Sequence, residues 1–440
     1  MSFSNHPYKS DTRCQWLGEV PNHWSLFKIG QLFEFRNEKV NDIDYIPLSI
    51  TKAGVVPQLE NVAKTIHNDN RKKVLTGDIV INSRSDRRGS SGLSPLDGSC
   101  SVINHVLAPR VELDGKYMHY LFKSIPFCDE YYRWGTGIVA DLWSTQKERM
   151  SQIQIPFPPI NEQKKIANFL DSKSETITHL KAKAEEKLQK LKEYRSSLIT
   201  LAVTKGLNPN VPMKDSGIKW LGNVPENWGI KPLKFITNNY SGGTPSKDNV
   251  DFWTNGTIPW VSAKDMKTFY IDQTQYYITE DAIKSSATKL VFKKSILMVV
   301  RSGILKRTVP IAVNNVPVTI NQDIKVYEIL SNNIDSEFVA NYLVGREKDI
   351  LFNANSLGAT VDSLDSELLG KFPILLPPLK EQLEINKYIC EKRNMFDKLI
   401  ASLNQEIQKL DEYRSSLIAA AVTGQIDMNS QASLTELNEN

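Results

Sequence analysis

Cysteine is scarce, with four in 440 residues at positions 14, 100, 128 and 390 and no Cys-x-x-Cys pair. That spacing suggests neither a disulfide framework nor a zinc knuckle, and the thiols read as buried or idle. Long apolar runs are missing as well. No stretch approaches the roughly 18 consecutive apolar residues that a membrane span needs, and residues 1–13 mix polar and charged side chains without the apolar stretch of a secretory signal. A cytoplasmic location with no membrane partner is expected. There is little surplus charge: 54 Lys and Arg against 50 Asp and Glu leave +4. Over this length that balance alone does not identify a nucleic-acid binder, so the distribution of charge must decide. Catalytic patterns are absent too. The six histidines (His6, His23, His67, His105, His119, His179) show no metal-ligand spacing, and no Gly-x-Ser-x-Gly elbow occurs. Gly135-Thr136-Gly137 is a lone Gly-x-Gly, and neither Asp141 nor Asp362 has a carboxylate cluster around it to hold magnesium. The expectation is a recognition protein with no catalytic residue, no metal and no cofactor of its own.

What the chain does have is a duplication, which fixes architecture more firmly than local propensity. Trp16-Leu17-Gly18-Glu19-Val20-Pro21-Asn22-His23-Trp24 recurs as Trp220-Leu221-Gly222-Asn223-Val224-Pro225-Glu226-Asn227-Trp228. Further anchors follow in the same order: Ile46-Pro47 with Ile258-Pro259, Arg84-Ser85 with Arg301-Ser302, and Ile103-Asn104 with Ile320-Asn321. Pro158-Pro159 with Glu162-Gln163 then matches Pro377-Pro378 with Glu381-Gln382, and Glu193-Tyr194-Arg195-Ser196-Ser197-Leu198-Ile199 equals the run from Glu412 to Ile418. The flanks and helical ends match almost residue for residue, while the stretches between match only at scattered anchors. One part is held constant and another diverges.

Two long helices are predicted. Neither 160–205 nor 379–423 contains Gly or Pro, although the chain carries 22 Gly and 21 Pro. Each stretch follows a Pro-Pro pair and stops at a glycine, Gly206 or Gly424, the residue suited to a left-handed C-terminal position. Apolar residues recur every seven positions: Leu170, Ile177, Ala184, Leu191 and Leu198 in the first, and Ile389, Phe396, Leu403, Leu410 and Leu417 in the second. Leu180, Tyr194 and Leu201, with Leu399, Tyr413 and Ala420, stand three residues on and complete an a/d seam, interrupted by Lys173, Lys187, Lys392 and Glu406. The seam predicts a coiled coil of moderate stability, with the charge-rich remainder as a solvated face. Because the helices belong to repeated units, a pseudo-two-fold is expected in which they pair antiparallel with the globular domains at opposite ends.

The intervening segments read as mixed α/β, with strand-like runs 77–82 and 295–300 each ending at an Arg-Ser. In the first copy Arg84, Ser85, Arg87, Arg88 and Ser90 gather guanidinium groups, hydroxyls and glycines in one loop; in the second, Arg301 and Ser302 lead to Lys306 and Arg307. Planar guanidinium forks suit phosphate and the guanine edge, and glycine allows close backbone approach. One such loop alone would be a solvated basic surface; its recurrence at the same anchor favours contact with nucleic acid. Ser241, Gly243, Thr244 and Lys247 form a Gly-Gly turn that lacks the Gly-Lys-Ser/Thr ending of a P-loop, and Lys264 follows a strand at a position matching Lys52. Trp134, Trp143, Trp253 and Trp260 are read as core rather than as base-stacking platforms.

Together the Trp-Leu-Gly-x-Val-Pro-x-x-Trp entry, the Ser241–Pro245 and Ile258–Val261 segments, the Pro-Pro-x-x-Glu-Gln helix starts and the Glu-Tyr-Arg-Ser-Ser-Leu-Ile helix ends resemble the specificity subunits of type I restriction-modification systems. The resemblance covers nearly the whole chain. It implies two target-recognition domains, each reading one half of a bipartite, asymmetric double-stranded DNA site, joined by two antiparallel helices. Those helices would dock two methylation subunits, which in turn recruit restriction subunits; S-adenosylmethionine, ATP and magnesium would belong to these partners. The expected α+β layout is a first recognition domain at 1–157, a first helix at 158–206, a second domain at 207–376, a second helix at 377–425 and a polar tail at 426–440. No Asn/Asp-Pro-Pro-Tyr/Phe methylase motif occurs. The rivals are a coiled-coil scaffold binding DNA without sequence preference and a modification enzyme acting unaided.

Overall fold

The computed structural model describes residues 8–10, 14, 16–59, 69–84, 87–138, 143–356 and 362–428. The chain forms two compact units, residues 1–185 with 405–440 and residues 186–404, so each unit takes a stretch of both long helices. These helices are Ile160–Lys205 and Leu379–Val422. Gly206 and Gly424 follow them at φ +79° and +78°, where a side chain would be strained.

The duplication is visible in the sheets. In the first unit Ile79–Asn82 pairs antiparallel with Ser91–Leu93 on one side and Asn104–Pro109 on the other, and the latter pairs with Phe33–Phe35. In the second, Ile296–Val299 lies between Ile311–Asn314 and Ile324–Ile329, which in turn pairs with Thr237–Ser241. The second sheet adds one edge strand, Tyr270–Ile271, parallel to Ile311–Asn314. The central strand of the second unit is wholly apolar and buried, and that of the first is so up to the half-buried Asn82, because a helix covers one face and a second small sheet the other.

The repeated motifs are joints. Trp24 and Trp228 are each 1% exposed, and each anchors the main core of its unit. The buried Gln163 and Gln382 explain the Glu-Gln helix starts. Gln163 accepts from the Asp114 N–H at 2.9 Å and donates to the Pro158 carbonyl at 2.8 Å; Gln382 accepts from the Asp335 N–H at 2.8 Å and donates to the Pro377 carbonyl at 2.8 Å. Asp114 and Asp335 in turn cap the helices Gly115–Lys123 and Ser336–Gly345, so one amide fixes the long helix to the capped end of a domain helix.

Within each unit the two long helices run antiparallel. In the first, Lys181 meets Asp411 at 2.6 Å and Arg414 donates to Thr178 at 2.8 Å; in the second, Arg195 meets Asp397 at 2.6 Å and Tyr194 packs edge-on to Phe396. Arg195–Asp397 and Arg414–Thr178 are the same contact in the two copies. The heptad series is placed inward: Leu170, Ile177, Ile389, Phe396 and Leu417 are buried, and Leu191, Leu198, Leu403 and Leu410 are half-buried. The expected second row is corrected. Leu180, Leu201 and Tyr194 are 46%, 59% and 62% exposed, and Leu399 and Tyr413 46% and 43%. The half-buried positions stand four residues on, at Lys181, Leu188 and Arg195 and at Ile400, Ile407 and Arg414. Leu188, Ile400 and Ile407 supply apolar area there, and Lys181, Arg195 and Arg414 lay their stems along the seam while their heads reach the partner helix.

The segment expected to begin a polar tail does not start as one: Ile426 and Met428 are each 7% exposed within the core of the first unit. Residues 429–440 lie outside the described residues. Among the described residues no helix is long and apolar enough to cross a membrane.

Candidate nucleic-acid interface

Each copy carries its Arg-Ser loop on the same scaffold. Arg84 bridges Ser144 in the first unit and Arg301 bridges Ser363 in the second. Beside them, the Thr145 N–H donates to the Ser83 carbonyl at 3.0 Å and the Leu364 N–H to the Val300 carbonyl at 2.8 Å. A strand leaving the buried sheet is thus tied to the segment that leads into the long helix, and the arginine that follows is held at the rim.

In the first unit Arg84, Arg87 and Arg88 are exposed around a narrow cleft with Tyr132 and Trp143. The chain turns tightly there: the Arg87 N–H reaches the Arg84 carbonyl at 3.2 Å and the Ser90 N–H the Arg87 carbonyl at 2.9 Å, with Gly89 at φ +76°. Arg88 is ion-paired to Asp129. Tyr132 and Trp143 stack at 5.7 Å and 26°, and the Trp143 indole donates to the Tyr132 carbonyl. Burial raises the pKa of the Cys128 thiol in the cleft wall, which disfavours its thiolate. Ser90, expected as a contact, is 6% exposed and faces the protein. Ser85 and Asp141 lie outside the described residues. Lys52 stands exposed at the tip of the hairpin formed by Leu48–Thr51 and Gly54–Pro57 and does not line this cleft.

In the second unit, segments distant in sequence come together around residues 321–323. Thr244 donates to Gln322 at 2.7 Å, and the N–H groups of Val300 and Arg301 donate to the Asp323 carbonyl at 2.9 and 3.3 Å. A cleft of about 530 Å³ beside them is lined by Lys247, Lys264, Trp253, Trp260, Tyr276, Asn321 and Asp323, among others. Lys247, Lys264, Arg301 and Arg307 are exposed, as is Ser241 at a strand end; Lys306 lies 4.0 Å from Asp362. One expected contact is corrected. Gly243 is buried and its N–H is spent on the Ile320 carbonyl at 3.0 Å, while a side chain on Gly242 would strike Ile320, so the Gly-Gly turn serves close packing and not phosphate binding. The half-buried Ser302 hydroxyl accepts from the Ile304 N–H at 3.4 Å as the cap of a short helix and keeps its own proton to donate.

The aromatic residues are what sequence reasoning misses. Trp260 is 6% exposed, as a core reading requires, but it also forms a wall of the cleft with Trp253 and Tyr276. Trp134 donates to Glu130 at 2.7 Å and packs on the first core. The signal available in the sequence is the alternation of Trp253, Trp260 and Tyr276 with Lys247 and Lys264 in one segment. Among the described residues no cluster of His, Cys, Asp or Glu could hold a metal.

The type I restriction modification DNA specificity domain matches this chain twice, over residues 21–190 and 225–411, so the duplication is a tandem of one family domain. The specificity subunit of the type I restriction enzymes EcoR124I/EcoR124II of Escherichia coli is 31% identical over 330 residues, covering 70% of this chain and 76% of its own. That of MjaVIII from Methanocaldococcus jannaschii is 22% identical over 95% of this chain and 97% of its own. Among solved structures, a type I R-M chain studied for complex assembly and conformational transition shares the fold at TM-score 0.71 and 14% identity, covering 92% of this chain and 99% of its own. The HsdS subunit from Thermoanaerobacter tengcongensis does so at 0.51 and 16%, over 92% and 98%. With two family domains spanning most of its length and a relative above 30% identity, the chain belongs to the type I restriction-modification specificity subunits, the non-catalytic, DNA-recognising components of those systems.

Proposed function

We infer that this chain reads a bipartite, asymmetric double-stranded DNA site, one recognition domain to each half, and docks two methylation subunits through which restriction subunits join. The observation that carries the reading is the pair of clefts beside equivalent Arg-Ser anchors but lined with different chemistry: three arginines over a stacked Tyr-Trp pair in the first, two lysines over an open aromatic cluster in the second. A constant frame with two unlike linings favours two unlike half-sites. Arg84, Arg87, Arg88 and Lys52 would serve one half; Lys247, Lys264, Arg301, Lys306 and Arg307 the other, dividing between phosphate and base edge.

The exposed row on the long helices suits the docking role. Leu180, Tyr194, Leu201, Leu399 and Tyr413 are apolar or aromatic and keep 43–62% of their surface exposed. S-adenosylmethionine, ATP and magnesium would then be held by the partner subunits. The test is to purify the chain alone and with its methylase, then measure duplex binding and methyl transfer. Sequence-selective binding, with transfer only in the complex, supports this reading; unselective binding marks a scaffold, and transfer by the chain alone marks an enzyme.

A further inference from the structure

The cleft of the second unit combines aromatic rings with exposed lysines. Trp253, Trp260 and Tyr276 meet edge-on in every pair, with ring centroids at 5.2, 6.1 and 6.5 Å and interplanar angles of 87°, 82° and 68°. Edge-to-face packing uses one ring's edge against another's face, so such a cluster keeps π faces for a further flat partner. The rings are fixed. The Trp253 indole donates to the Ser246 carbonyl at 3.0 Å and the Trp260 indole to the Gly243 carbonyl at 3.2 Å, both on the loop that presents Lys247. Lys247 and Lys264 are exposed beside the rings, which disfavours a cationic guest of the kind aromatic cages hold. Asp323 adds a carboxylate, a group that pairs with the amino edges of bases, held in place by the Asn321 amide, which donates to it at 3.2 Å. A volume of about 530 Å³ is in the range of small-ligand pockets. The first unit differs: Tyr132 and Trp143 lie nearly parallel and cover each other, and the cleft there is narrow.

We propose that the second recognition domain captures one nucleobase turned out of the duplex, stacked in the Trp253–Trp260–Tyr276 cleft with Lys247 and Lys264 on the flanking phosphates. This rests on the DNA-reading assignment above and goes beyond groove readout, because the captured position is selected by its ease of extrusion as well as by its edge.

The experiment uses the full chain with its methylase and a duplex carrying the mapped site. Each base in turn is placed opposite an abasic nucleotide, which removes the cost of unpairing. Capture predicts at least about tenfold tighter binding at one position of the second domain's half-site, lost in Tyr276→Ala and in Trp253→Ala, while the first domain's half-site is still selected. Tyr276 is half exposed, so its removal leaves the core intact, and thermal unfolding checks this. A gain that survives both variants belongs to extrusion by the methylase and overturns the proposal. So does the absence of any gain, or a loss of methylase co-purification in the variants. If the wild-type complex shows no sequence-selective binding at all, it is the DNA-reading assignment that fails.

Discussion

Gly424, which follows the second long helix, lies against Trp24 of the first repeat: a Cβ built there would strike Pro21 and come within 3.1 Å of the indole. Gly206 stands in the same relation to Trp228, but its nearest neighbours would be the Glu381 carboxylate at 3.1 Å and the indole at 3.4 Å. Both glycines have positive φ. Gly206→Ala should therefore cost about 1–2 kcal/mol, the left-handed penalty alone, because Glu381 can swing aside. Gly424→Ala should cost clearly more, because proline and tryptophan in a packed joint cannot. Hydrogen exchange in the first unit for Gly424→Ala, set beside the second unit for Gly206→Ala, reads the difference; equal effects would count against this joint.

Acid should loosen the first unit through His119. Its ring nitrogen accepts from the Leu93 N–H at 3.2 Å, and burial, then nearby Lys123, lower its pKa to about 4 against a partial pull from Asp171. The unfolded value is about 6.5. Between these values the unfolded chain binds more protons, so stability falls as pH drops from about 6.5 to about 4 and is flat below. The loss should be on the order of 2–3 kcal/mol. His119→Asn should flatten the curve in urea titrations at pH 7.5, 6 and 5; an unchanged slope would discard His119 as its source.

A half-chain of residues 1–210 should dimerise. The first core takes Leu417, Ala421 and Val422 from the second long helix, and the first helix carries Leu198, Ala202 and Val203 at the matching positions. Two copies can therefore complete each other and present identical domains. With methylase the dimer should modify a symmetric site; a monomer at high concentration, or modification of the original asymmetric site, would contradict the repeat model.

Lengthening both long helices should stretch the site without rewriting it. Duplicating one heptad in each, residues 179–185 and 400–406, keeps the seam in register and adds roughly 10 Å at 1.5 Å per residue. Against 3.4 Å per base pair that is up to about three base pairs of added gap. Methylation mapping should show a longer gap between unchanged half-sites; altered bases within a half-site would mean that the helices do more than space the domains.

The helices and the duplication are legible because their signals are local and repeated: a stretch without Gly or Pro, a period of seven, the same words twice. The second row of the seam is misplaced in the sequence because heptad spacing does not say whether the partner meets positions three or four residues on. The antiparallel contacts of Arg195 and Arg414 choose four. Gly243 looks like a phosphate cradle because glycine pairs also arise from close packing, here against Ile320. The second cleft is hidden because Lys247, Trp260, Tyr276 and Asn321 reach one place only through a tertiary fold.

Single-base methylation mapping of wild type beside variants of one loop decides whether each domain reads its own half-site. Arg84→Ala, Arg87→Ala and Arg88→Ala lie in the first unit alone. Removing a guanidinium that reads a base edge should cost about 1–3 kcal/mol of discrimination at a single position. The wild type should modify a bipartite motif, and the variants should relax or weaken one half while the other stays as it was. A continuous motif, or variants that change both halves together, would rule out a division of the half-sites between the two domains.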